Sequence, residues 1–81
     1  MSYTTWYRVA RERNRKEIVY KVSHLGIETF DHTLSGEYNQ DNPMPDIIEQ
    51  KLAVLEQLDV NDGIEGVGKK IESGIWWIQI F

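Results

Sequence analysis

Ile75-Trp76-Trp77-Ile78-Gln79-Ile80-Phe81 is the stretch that decides how this chain folds. Six of its seven residues are β-branched or aromatic, the types that suit a pleated surface. Alternation sets Trp76, Ile78 and Ile80 on one face against Ile75, Trp77 and Phe81 on the other. A strand apolar on both faces is an aggregation hazard at a sheet edge, so this one is expected inside a sheet. The rest of the chain must then supply its neighbours and a cover.

The cover is the segment before it. Asp46 to Leu58 places Ile47, Ile48, Leu52, Val54, Leu55 and Leu58 within an arc of roughly 160° at 100° per residue. Glu49, Gln50, Glu56 and Gln57 fall outside that arc, and Lys51 falls inside it. Lys51 is expected to run its stem along the apolar surface or to pair with an acid. Pro43 and Pro45 prevent an earlier start, and Asp46 with Glu49 has capping-box spacing. Asn61-Asp62-Gly63 is expected to stop the helix, with Gly66 and Gly68 keeping the next stretch irregular.

Neighbouring strands come from the N-terminal third. Tyr3 to Ala10 is rich in Thr, Tyr, Trp and Val, and Ile18, Tyr20 and Val22 alternate with Glu17, Val19 and Lys21. The polar run Arg11 to Lys16, with Asn14 near its middle, reads as the hairpin connection between them. Gly26 marks a turn or bulge before a third strand over Ile27 to Leu34. Ser35 to Pro45 holds Gly36, Asn39, Asp41, Asn42, Pro43 and Pro45 and reads as a loop. The expectation is a single α+β domain over residues 1–81, ordered β-β-β-α-β. Its mostly antiparallel sheet has about four strands and one helix on one face.

Composition narrows the function classes. The chain has 81 residues, a net charge of −4, and no cysteine, which removes disulfides, thiolate zinc sites and cysteine nucleophiles. An apolar fraction of 41% is too high for disorder. No apolar run approaches the roughly 18 residues of a membrane span, and the first dozen residues lack the apolar core of a secretory signal. No membrane partner and a cytoplasmic location are the expectations. Charge is divided along the chain. Residues 1–22 carry six basic side chains against two acidic, and residues 23–66 carry ten acidic against Lys51 alone.

Few residues invite chemistry. Gly66-Val67-Gly68-Lys69-Lys70 fails the dinucleotide fingerprint, because Ile71 stands where its third glycine belongs, and it lacks the P-loop series. Gly66 to Ile71 resembles the Gly-apolar-Gly turn of helix-hairpin-helix DNA-binding motifs, whose second helix would have to run through Gly74 and Ile75–Ile80. A glycine-rich connector is the competing reading. His24, Glu28, Asp31 and His32 offer ligand types, but strand spacing turns Asp31 away from Glu28 and His32, so no three-ligand set follows. Asp59, Asp62 and Glu65 lack calcium-loop spacing. No catalytic residue, metal or cofactor is expected, and the chain reads as a non-enzyme.

Asp46 to Val60, DIIEQKLAVLEQLDV, followed by GIEGVGKKI and the WWI strand, resembles small proteins encoded by tailed phages. That resemblance implies a short accessory protein without an assigned activity, placed in the host cytoplasm. It carries over no site residues.

Two binding expectations remain. Three Trp and four Tyr in a small chain suit a protein-interaction module, with Trp6, Tyr7, Trp76 and Trp77 as candidate anchors. One helix leaves the second sheet face open, so a homodimer packed sheet to sheet is its simplest form. The alternative is nucleic-acid binding by the basic hairpin around residues 8–21. Its candidates are Arg8, Arg11, Arg13, Arg15 and Lys16, with Lys69 and Lys70 beyond.

Overall fold

The computed structural model describes residues 5–14, 17–25 and 35–80. Three strands precede the helix and three follow it: β1 (Thr5–Asn14), β2 (Glu17–Leu25), β3 (Ser35–Tyr38), α1 (Asp46–Leu55), β4 (Gly63–Ile64), β5 (Gly68–Glu72) and β6 (Ile75–Ile80). They form one antiparallel sheet of six strands in the order β3-β2-β1-β6-β5-β4. The class is α+β, and among the described residues there is one helix and a sheet of six strands where the sequence led us to expect about four.

β6 takes the interior place that its two apolar faces require, between β1 and β5. Its register on β1 sets Val9 beside Trp76, Tyr7 beside Ile78 and Arg8 beside Trp77. β1 and β2 pair from Trp6↔Leu25 to Asn14↔Glu17. The strands therefore run further into the polar segment than alternation alone indicated, and Arg11 to Asn14 of the expected connection belong to β1. β1 pairs with β6 only as far as Ala10. The far end of the β1–β2 hairpin extends past the rest of the sheet.

Three strands arise where loop was expected, the shortest being the two-residue β4 paired with β5. Ser35–Tyr38 pairs with β2 as an edge strand, and Tyr38 packs against the core. An edge strand needs one partner and little burial, so Ser and Gly suffice. Gly68–Glu72 is β5, with a bulge between Lys70 and Glu72, and it closes onto β6 through a turn at Gly74 (φ 84°). The expected strand at Ile27–Leu34 lies outside the described residues.

The helix packs on β5 and β6. Ile48, Leu52 and Leu55 are buried against Val9, Val22, Trp76 and Ile78, and Leu55, Val9 and Ile78 are fully enclosed. Burying an aliphatic side chain of this kind stabilises by about 1.5–3 kcal/mol. The apolar arc is narrower than the sequence suggested, because Ile47 (52% exposed) and Val54 face outward. The capping box does not form. Pro45 occupies the N-cap without a side-chain bond, and its carbonyl accepts from the Glu49 amide at 2.9 Å. The helix also ends before Asn61-Asp62-Gly63. Its last turn tightens through bonds from Gln57 to Val54 and from Leu58 to Leu55.

Candidate functional site

The sheet has two unlike faces, and strand alternation with the observed registers assigns each residue to one of them. Val9 and Trp76 lie under the helix, which puts Tyr7, Arg11 and Arg13 of β1 on that side, with Tyr20, Val22 and His24 of β2 and Lys70 of β5. The other face carries Trp6, Arg8, Ala10 and Glu12 from β1, Val19, Lys21 and Ser23 from β2, Ile75 and Trp77 from β6, and Lys69 from β5. The helix makes no contact with that second face.

At its centre the rings of Trp6 and Trp77 meet edge to face, with centroids 6.3 Å apart. Trp77 is 39% exposed although it sits on an interior strand. Arg8 stands across from it on β1 and Lys69 across from it on β5, so one row over the sheet reads Ser23, Arg8, Trp77, Lys69. The acids of this face lie in the rows nearer the hairpin tip. Glu12 is bonded to Lys21 at 3.0 Å, Glu17 is beyond it, and Glu37 and Glu72 stand towards the two edges. The bond to Glu12 raises the Lys21 ammonium above its ordinary range.

Sequence reasoning grouped residues that the fold separates. Trp76 is 1% exposed, beneath the helix, with the Arg11 guanidinium 5.7 Å from its ring centre, so it offers nothing to a partner. Tyr7 packs against the core and beside His24, ring centres 5.1 Å apart. Trp6 and Trp77 remain at the surface. The basic candidates divide similarly. Arg8, half-buried, and Lys69, exposed, share the face away from the helix, where Ala10 and Val19 are buried, while Arg11 and Arg13 occupy the helix side. Arg15 and Lys16 lie outside the described residues. Lys70 is committed elsewhere, since its Nζ donates to the carbonyls of Glu56 (3.2 Å) and Leu58 (2.9 Å) at the helix end. β1 is paired on both edges as far as Ala10, and beyond Arg11 the two strands of the hairpin pair only with each other.

Lys51, placed by its spacing among apolar residues, bonds backbone carbonyls. Its Nζ donates to Gln79 O at 2.6 Å and Gly66 O at 2.9 Å, and the Gly66 amide donates to the Gln79 side chain at 3.1 Å. This knot ties the helix to the Gly66 turn and the end of β6. Gly66 (φ 82°) belongs to a tight β4–β5 turn and opens no helix, which sets aside the helix-hairpin-helix resemblance.

The helix side holds two clefts. One, of about 400 Å³, lies at the helix N-terminus among Tyr7, Val22, Tyr38, Ile47, Ile48 and Ile80, over an open floor at Gly36. The other, of about 730 Å³, is a shallow groove between Tyr20 and Tyr38 and the helix flank at Leu52 and Glu56. Burial raises the Tyr20 phenol, with Glu56 adding to it and Arg11 opposing; burial also raises Tyr38, with a smaller contribution from Tyr7. Among the described residues no three His, Asp or Glu side chains gather as a metal site, and no helix is long and apolar enough to cross a membrane.

No family model, curated protein or solved structure matches the chain.

Proposed function

We propose that this chain is a small non-enzymatic interaction module whose working surface is the sheet face turned away from the helix. The observation that carries the reading is the Trp6–Trp77 pair, held on that face with Trp77 39% exposed at an interior position. A large ring there contributes little to a core that Trp76 fills from the other side. Trp and Arg are the residue types most often found as binding anchors. The partner that fits presents a flat apolar surface bordered by negative charge, to meet Trp77 between Arg8 and Lys69. An accessory role in a phage-infected cytoplasm is compatible with this reading and supported by the sequence resemblance alone.

The test compares the two tryptophans of β6. Trp77→Ser should change stability by less than about 1 kcal/mol, whereas Trp76→Ser should cost several, as removal of a buried large side chain does. Urea denaturation followed by circular dichroism measures both. If Trp77→Ser unfolds the chain as readily as Trp76→Ser, the ring belongs to the fold and the reading falls. Sheet-to-sheet self-association, the protein partner nearest to hand, uses the same face. A dimer mass by light scattering that Trp77→Lys returns to the monomer would identify a second copy as the occupant of that face.

A further inference from the structure

Resting on that reading of the working face, we infer that the partner it accepts is a single-stranded nucleic acid. One base stacks on Trp77, and flanking phosphates lie on Arg8 and Lys69. This follows from the order of residues across the strands. Adjacent strands are about 4.8 Å apart, so Arg8 and Lys69 stand roughly 10 Å from one another with the Trp77 ring between them. A backbone crossing the sheet at right angles to the strands meets a cation, an aromatic face and a second cation in succession. This is the combination by which open sheets hold unpaired bases. Trp6, set edge-on against Trp77, fixes the ring and widens the apolar platform.

Charge favours this partner over an apolar protein surface, because the acids are kept out of the row. Glu12, Glu17, Glu37 and Glu72 all stand nearer the hairpin tip, and Glu12 is neutralised by Lys21. In sequence, Glu12 and Glu17 flank the arginines of the hairpin and argue against a phosphate ligand. In the fold they border the path on one side without crossing it. A duplex is disfavoured, since its bases are stacked on one another and cannot lie on Trp77. The net charge of −4 opposes any polyanion, so stacking carries the affinity and the salt dependence is shallow.

The experiment is a fluorescence titration with oligothymidylate and oligouridylate of about 12 nucleotides, a duplex of equal length, and polyglutamate. The single strands should quench tryptophan emission. Their affinity should fall about sevenfold between roughly 50 and 200 mM salt, the slope expected of two phosphate contacts. Lys69→Ala should reduce that fall to under about threefold. Trp77→Ala should weaken binding about tenfold or more, while Trp77→Phe keeps a stacking face and most of the affinity. Arg13→Glu, on the other side of the sheet, should change little. The inference is overturned by absent quenching at low salt, by a duplex or polyglutamate binding equally well, or by loss of binding with Arg13→Glu but not Lys69→Ala. If no oligonucleotide binds and Trp77→Lys disperses a dimer, the working face stands and its partner is a second copy. If Trp77→Ser unfolds the chain, the working face itself is lost.

Discussion

Trp76 shows how much one side chain settles. It is almost fully enclosed, and among the described residues its indole N–H has no hydrogen-bond acceptor, a deficit worth about 1–3 kcal/mol. Trp76→Ala should cost about 3–5 kcal/mol in a urea titration. Trp76→Phe should cost less than half as much, because it keeps a ring in the core and removes the stranded donor. Gly68 is as constrained for the opposite reason. At φ 146°, an added Cβ would run into the Trp77 carbonyl and stand 2.9 Å from Leu55 Cδ1, so Gly68→Ala should lower the unfolding midpoint sharply. Tyr20 and Tyr38 add to the loss of stability at alkaline pH. Both phenols are raised in the fold, so the unfolded chain ionises first. Their contribution is intact below about pH 10 and declines as pH rises through the folded values. Tyr20→Phe with Tyr38→Phe should flatten that decline in a pH series of thermal melts.

At the level of elements, two lysines do work that their spacing did not reveal. Lys51→Met keeps the stem but removes two charge-assisted bonds to carbonyls, and it should cost about 1.5–3 kcal/mol. Lys70→Ala leaves the helix end without its cation and should cost about 0.3–1 kcal/mol. Both are read from denaturant midpoints. The elements legible in sequence were those with a strong internal pattern. β1, β2 and β6 alternate, and α1 has its apolar arc and two prolines ahead of it. β3 and β5 were not legible, because Ser35-Gly36 and Gly66–Gly68 carry turn chemistry. What makes them strands is a neighbour already in place: β2 for one and β6 for the other. Lys70, likewise, looked like a free cation until β5 set it beneath the end of the helix.

In the whole molecule, the candidate surface depends on registers that no local pattern encodes. Trp6, Arg8, Lys69 and Trp77 were each visible as residue types, yet their assembly on one face follows from β6 entering between β1 and β5. The separation of Trp76 from Trp77 follows from the same event, since adjacent residues of a strand point to opposite faces. That placement also has a consequence in time. Ala10 and Ile75 are partners about 65 positions apart, and at roughly 5–20 residues per second of synthesis, β1 waits on the order of 3–13 s for the strand that completes it. Through that interval the open edge of β1, joined only near its close by that of β5, is a template for any extended chain nearby. A growing polypeptide halted before Ile75 holds two half-sheets with nothing to join them. The hazard to the cell is then greatest in interrupted synthesis, and a release assay on chains stalled at Gly74 should find them captured by chaperones or aggregated, while chains carried past Ile80 escape.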